Sequence, residues 1–231
     1  MVTAEYIRSE AQSCGMALSE EKAGMLCSYA EAVEETNRHF NLTAITSEEE
    51  FVTRHIIDSL FCAERPEIAG KVADVGTGAG FPGSVIGIVR DVELTLIEAT
   101  EKKLDFAIDQ MKKFGRTCCG IHSRAEDAAR TELRESFDCV VSRGVASLPV
   151  LLEYCVPLVR KGGYFIAMKG EGAYEEERTE TSERLLGVEI AEIVPYVLRS
   201  GIKHELVIYK KTKKTDDRYP RRGDRIRKSP L

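Results

Sequence analysis

The chain has no apolar leader, no uninterrupted hydrophobic run, no framework of paired cysteines, no internal repeat and no low-complexity tract. Each absence removes a class. Glu5, Arg8, Glu10, Glu20 and Glu21 break up the first thirty residues, so nothing there reads as a signal core. The most apolar stretch, residues 140–159, is interrupted by Arg143 and Glu153, which argues against a membrane span. The seven cysteines follow no framework spacing and are expected as reduced thiols of a cytoplasmic protein. A content of 43% hydrophobic and 31% charged residues excludes overall disorder. The 231 residues suffice for one domain of ordinary size, burying roughly 70–75% of the unfolded surface without help from disulfides or metals.

Basic charge is scarce except at one end. Residues 210–231 hold ten Lys or Arg against three Asp, a net of +7, and the chain total of −5 leaves −12 on the other 209 residues. An acidic body with a basic tail points to a local contact with a polyanion rather than a wholly basic surface. A solvated terminal tail is the plainer alternative. Tyr219 and Pro220 are the residues able to dock the tail, which would bring Arg221 and Arg222 beside a cleft.

The first part of the chain is helical. Leu26, Tyr29, Val33 and Phe40 recur near multiples of 3.6 behind a Ser19 cap, and Ser47 with Glu50 makes a capping-box spacing before Phe51, Val52, Ile56 and Leu60. From Lys71 onward, β-rich runs at 71–76, 93–98, 116–122, 137–142 and 162–168 alternate with helical segments, and runs at 189–198 and 203–210 follow. Alternation predicts an α/β parallel sheet covered on both faces. The last two runs are separated only by residues 199–203, too few for a crossover, so that pair is expected to be antiparallel. A Rossmann-like sheet with a terminal antiparallel pair and an N-terminal helical extension is the arrangement of S-adenosylmethionine-dependent methyltransferases. The expected division is a helical portion at 1–65, the methyltransferase domain at 66–211 and the basic tail at 212–231.

The first β-run enters a glycine loop, Asp74-Val75-Gly76-Thr77-Gly78-Ala79-Gly80-Phe81-Pro82-Gly83. Glycines at the end of a first strand let the backbone turn tightly and approach a ligand. The dinucleotide fingerprint needs glycine at 81, where Phe81 stands. The form acid-x-G-x-G-x-G is matched throughout. S-adenosylmethionine is cationic and carries no phosphate, so Asp74 beside the loop suits it. Glu98, 22 residues after Gly76, is placed to accept the ribose hydroxyls, a device that nicotinamide enzymes share. Ala125 and Glu126 follow the third run, where a backbone N–H and a carboxylate can pair with the adenine edge. N-cap chemistry explains the same acids.

The fourth run ends in Ser142-Arg143-Gly144-Val145, where methyltransferases acting on exocyclic amines present a D/N-P-P-Y/F motif. That motif is absent, as is a Pro-Cys nucleophile, and Cys139 reads as core. A ring nitrogen with a free lone pair, such as N7 of guanine, needs neither. No catalytic side chain, no general base and no metal are therefore expected. Arg143 is expected on a substrate phosphate or the donor carboxylate, and Lys169 on a second phosphate.

These residues give the chain a resemblance to the bacterial small-subunit ribosomal RNA guanine-N7 methyltransferases, long called glucose-inhibited division protein B. The likeness includes Asn41 to Ile45, Arg54-His55-Ile56-Ile57-Asp58-Ser59-Leu60, the loop Asp74 to Gly83, Arg124-Ala125-Glu126, Ser142 to Ala146, Met168-Lys169-Gly170 and Tyr219-Pro220-Arg221-Arg222. It implies S-adenosylmethionine at Gly76, Phe81, the Glu98 region, Ala125-Glu126 and Arg143, with Asp74, Gly78 and Gly80 completing the loop. It implies as acceptor a guanine in helix 18 of 16S ribosomal RNA, within the small subunit or its precursor, with RNA contacts from Arg143, Lys169, Arg221 and Arg222. No membrane and no obligate protein partner are expected. Glu98-Ala99-Thr100 and Gly144 depart from the usual aspartate-led segment and the usual alanine. His55 and Asp58, three apart on one helical face, are read as a structural pair joining the helical portion to the domain. A nicotinamide oxidoreductase and a non-catalytic assembly factor of the same fold stand as alternatives.

Overall fold

The computed structural model describes residues 2–45 and 47–231. Two helices open the chain: α1 (Ala4–Ser13), capped by Thr3, and α2 (Glu20–Asn37), whose Ser19 hydroxyl accepts from the Lys22 amide as expected. A third helical stretch begins as α3 (Glu48–Phe51), with the Ser47 hydroxyl accepting from Glu50 N. It widens to a π-helix over Val52–Ile57 and resumes as α4 (Asp58–Ala63). Strands and helices then alternate: β1 (Lys71–Val75), α5 (Gly83–Val89), β2 (Glu93–Glu98), α6 (Glu101–Lys113) and β3 (Cys118–His122). They continue as α7 (Ala125–Ala128), β4 (Phe137–Arg143), α8 (Leu148–Cys155) and β5 (Val159–Gly170). The chain finishes with α9 (Ala173–Glu176), α10 (Glu180–Leu186), β6 (Val188–Val197), β7 (Lys203–Lys211) and α11 (Gly223–Lys228).

The strands form one seven-stranded sheet in the order β3-β2-β1-β4-β5-β7-β6. β1 to β5 pair in parallel, and β7 runs antiparallel to both β5 and β6. The expected fold is the observed one. β5 starts three residues earlier than its β-rich run, because Val159 already pairs with Phe137 ahead of a bulge. β1 lies between β2 and β4, so the connections leaving β1 and β4 depart to opposite sides. The carboxyl ends of those strands frame a crevice, the usual ligand position in an open α/β sheet.

Alternation along β1 divides the core. Val72 faces a cluster with Ile7, Leu26, Val33, Ile56, Leu60, Ile86 and Met111, so the N-terminal helices share a core with α5 and α6. Ala73 and Val75 face the other cluster, with Leu151, Val207, Tyr209, Tyr219 and Ile226. The C-terminal tail thus packs on one face and the N-terminal helices on the other.

The basic tail is less free than its composition suggested. Lys211 is buried at the end of β7, where its ammonium donates to the Val156 and Val159 carbonyls and pairs with Glu135 at 2.8 Å. Burial pulls this amine down to about 8, against the opposing effect of Glu135. Lys211 therefore cannot serve a polyanion. Arg134 donates to the Tyr219 carbonyl at 2.7 Å and to Thr215 O at 2.9 Å, which ties the tail to the loop before β4.

Candidate active site

A cleft of about 640 Å³ opens at the carboxyl ends of β1 and β4, within the range of small-molecule sites. Its walls include Gly76, Gly78, Phe81, Glu98, Ala125, Glu126 and Arg143, so seven of the nine residues expected around the donor lie together. Asp74 and Gly80 do not line it. Asp74 is wholly buried beneath the loop and accepts from the Gly83 amide at 2.8 Å. Burial pushes its carboxyl up to about 6, with the Thr77 hydroxyl and Gly83 amide opposing. Gly80 is glycine because a Cβ there would overlap the Tyr29 hydroxyl, which donates to Ala79 O at 2.8 Å. Both residues brace the loop from below, Asp74 against α5 and Gly80 against α2.

At Gly78 the loop meets the cleft as bare backbone. Gly78 has φ 56, and a Cβ on it would meet nothing nearer than Gly76 O at 3.9 Å. Its missing side chain leaves space where a ligand would sit. Gly78 N donates to Glu98 Oε2 at 3.0 Å, and Thr100 N donates to Oε1 at 2.9 Å. Glu98 is thereby fixed, and each oxygen retains a second lone pair for a ribose hydroxyl.

At the opposite end, the π-helix turns His55 and Asp58 toward one guanidinium. Arg143 Nη1 donates to Asp58 Oδ2 at 2.7 Å and to Arg54 O at 2.8 Å, while Nη2 donates to His55 Nδ1 at 2.9 Å. Because arginine only donates, His55 Nδ1 carries no proton. Its Nε2–H then donates to Thr43 Oγ1 at 2.8 Å. The imidazole stacks on Phe81 with centroids 4.7 Å apart. Burial, then the charge of Arg143, lowers His55 to about 3 and keeps it neutral.

Asp58 is buried, and its Oδ1 accepts from Tyr196 Oη at 2.7 Å and His204 Nδ1 at 2.8 Å. Burial raises this carboxyl, but His204, Arg143 and Tyr196 together hold it below its usual range. His55 and Asp58 do join the helical portion to the sheet, not by pairing with each other but by sharing Arg143. Tyr196 and His204 were not singled out by sequence reading.

The expected RNA-binding cations are mostly committed elsewhere. Lys169 pairs with Glu177 at 2.9 Å and donates to Ala146 O at 3.2 Å. Arg221 turns inward. Its Nε and Nη2 donate to Glu153 Oε1 and Oε2 at 2.8 and 2.7 Å, and its amide reaches the same carboxylate at 2.7 Å. Glu153 is wholly buried, so losing Arg221 to RNA would strand a charge in the core. The placement of Arg221 on RNA is corrected to a structural ion pair. Arg222 differs: 89% of its side chain is exposed, and its contact is a loose one with the exposed Asp224 at 3.9 Å.

Two further observations fit S-adenosylmethionine. The cradle at Gly78 is one that a Cβ would fill. The other is Glu126, 8% exposed in the cleft wall, whose carboxylate has no hydrogen bond or ion pair among the described residues. A carboxylate in the cleft wall with no protein donor is left to accept from a ligand, and an adenine amino group would supply such a donor. No group of three or more potential ligands able to hold a metal occurs among the described residues.

A family described as rRNA small subunit methyltransferase G matches residues 22–204 of the chain. The chain belongs to this family. Proteins named ribosomal RNA small subunit methyltransferase G from Clostridium botulinum (strain Loch Maree) and Clostridium tetani are 40% and 38% identical to it, over 97% and 98% of both chains. Among solved structures, a tRNA methyltransferase of Aquifex aeolicus has a TM-score of 0.51 at 19% identity, covering 68% of each chain. M. jannaschii TYW2 in complex with AdoMet has a TM-score of 0.52 at 14% identity, covering 67% of this chain and 76% of that one. Such likenesses establish the Rossmann-like α/β fold. No described helix of this family member is long and apolar enough to cross a membrane.

Proposed function

We propose that this protein transfers a methyl group from S-adenosylmethionine to N7 of a guanine in helix 18 of 16S ribosomal RNA, within the small subunit or its precursor. Family membership supports ribosomal RNA as the substrate and the resemblance supplies the position. The observation that carries the N7 assignment is the saturation of the transfer end. His55 has spent its Nδ1 lone pair on Arg143 and is neutral, while Asp58 accepts from three side chains. Asp74, the carboxyl raised toward neutrality, lies under the loop and outside the cleft. Among the described residues of the transfer end, His55 and Asp58 are thus both unavailable to remove a proton from an exocyclic amine. Guanine N7 has no proton to remove.

Bound in the cleft, the donor supplies an electrophilic methyl group on a sulfonium. Gly76 and Gly78 give the backbone room to approach it, Glu98 accepts from the ribose and Glu126 from the adenine. Arg143 is held by Asp58, His55 and Arg54, which leaves its Nε–H and one Nη2–H for the donor carboxylate. Phe81, 4% exposed on the loop and stacked on His55, keeps that end dry. The chain's contribution is alignment and exclusion of water rather than acid–base chemistry. Exposed tail cations, Arg222 foremost, are the ones left for RNA phosphates.

Small subunits from cells lacking the gene, incubated with the protein and donor, test this reading. Mass spectrometry of helix-18 fragments should show one added methyl on a guanine, at N7. Methylation elsewhere refutes the assignment. Unmodified RNA, despite donor and subunit binding, favours a non-catalytic assembly factor.

A further inference from the structure

Among the described residues the Glu126 carboxylate has no hydrogen bond or ion pair, yet it is not loose. It is backed by the C-terminal segment. A Cβ placed on Gly223 would overlap Glu126 Oε1 and lie 2.8 Å from its Cδ, so glycine at 223 is what lets the carboxylate lie against the start of α11. The same Cβ would stand 3.4 Å from Arg227 Nη1, and Arg227 itself lines the cleft with its Nη1 3.4 Å from the Tyr154 hydroxyl. Glu126, Gly223, Arg227 and Tyr154 form one corner at the adenine end.

This corner is firmly built. Arg221, two residues before Gly223, is clamped on Glu153, and Ile226 is wholly buried on α11. Arg130 donates to Pro220 O, and Arg221 Nη2 also donates to Ser229 O at 2.9 Å, closing the turn around α11. A segment that served only as a flexible RNA arm would need none of these anchors.

We propose that the C-terminal segment is a wall of the methyl-donor site, in which Gly223 positions the Glu126 carboxylate to accept from the exocyclic amino group of the adenine. Gly223 is a positioning residue, acting through Glu126. The inference rests on the donor reading above. Its chemical content is selectivity. A fixed carboxylate accepts from the amino group of adenine but opposes the carbonyl oxygen that hypoxanthine carries at the same position, so the base is read and not merely accommodated.

Calorimetry with S-adenosylhomocysteine and S-inosylhomocysteine, on the full chain, tests it. The wild type is expected to prefer the adenosyl compound by at least about tenfold, ~1.4 kcal/mol. Gly223→Ala displaces the carboxylate and should reduce that preference to that of Glu126→Gln. A chain ending at Arg222 keeps the Arg221–Glu153 pair and should lose the preference likewise, and either variant that folds decides the matter. A tail that only supports the fold would weaken both ligands equally with the preference intact, and that result overturns the proposal. So does a folded variant that binds both ligands like the wild type but binds small subunits more weakly, the mark of an RNA arm. Failure of the wild type to bind either compound refutes the donor reading itself.

Discussion

The two ends of the cleft are built on opposite plans. At the transfer end every strong polar group has a protein partner: Arg143 holds Asp58, His55 and Arg54 O, and Asp58 also holds Tyr196 and His204. At the nucleoside end Glu126 is buried with no polar partner among the described residues, and Glu98 holds only two backbone amides. The difference separates stability from binding. Saturated groups contribute rigidity and keep the site's shape in the absence of ligand. A cleft-facing carboxylate without a protein donor is left to water until a ligand donates to it. On the proposed reading, geometry for transfer is set before binding, and affinity is concentrated where the nucleoside would lie.

The largest effect should come from breaking the saturated end. Asp58→Ala strands Arg143 and removes the acceptor of Tyr196 and His204, a cost of about 3–5 kcal/mol for a broken buried pair. Urea unfolding measures it. A loss below about 1 kcal/mol would mean that the network is not a unit. The converse change belongs to the loop. Gly78→Arg fills the cradle at a position where a Cβ meets no side chain. It should weaken donor binding by about 100-fold or more, ~2.7 kcal/mol. Stability should fall only by the roughly 1–2 kcal/mol of a side chain held at positive φ. Calorimetry and unfolding on the same variant separate the two. Undiminished donor binding would refute the loop assignment.

The same contrast explains what could be read from the sequence. The proposed nucleoside end is local: strand, glycine loop and the acid ending the next strand are dictated by backbone conformation and fixed spacing, so Gly76, Gly78, Glu98 and Glu126 were legible as residues lining the cleft. Asp74 and Gly80 were legible as motif but not as role, because spacing does not reveal which side of a loop faces solvent. The transfer end is assembled across the chain. Asp58 meets Tyr196 and His204 at separations of 138 and 146 residues, which no periodicity encodes. The π-helix that aims His55 and Asp58 is likewise invisible to a 3.6-residue pattern. Glu153 did give a signal, a carboxylate inside the most apolar stretch, but its partner Arg221 lies 68 residues away in a tail that composition presented as a polyanion contact. Counting Lys211 and Arg221 as exposed charge overstated the tail's reach.

A smaller effect follows from His55. Its folded value near 3 lies below the ordinary 6.5, so between these limits the unfolded chain binds a proton that the folded chain refuses. The stability linked to it is fully present above pH 6.5 and falls as the pH drops toward 3. At pH 5 the loss is about 2 kcal/mol. Unfolding free energies of wild type and His55→Ala, measured between pH 7 and 5, should therefore converge as the pH falls. Parallel curves would show that the imidazole is not held neutral by the fold.

The smallest effect expected is on the chemistry. If the transfer end only shapes the site, the folded fraction of His55→Ala should transfer methyl groups within about tenfold of the wild type. Its single-turnover rate should show no ionisation of a protein base near neutrality. The Arg143 guanidinium keeps its bonds to Asp58 and Arg54 O in that variant, so the positioning of the donor survives the loss of the ring. A general base removed from its substrate costs about 10² to 10⁴ in rate. A folded His55→Ala protein that binds donor and small subunit normally but transfers more than about 10²-fold slower would place His55 on that scale. The saturated end would then be catalytic, and the acceptor an atom that must lose a proton rather than N7.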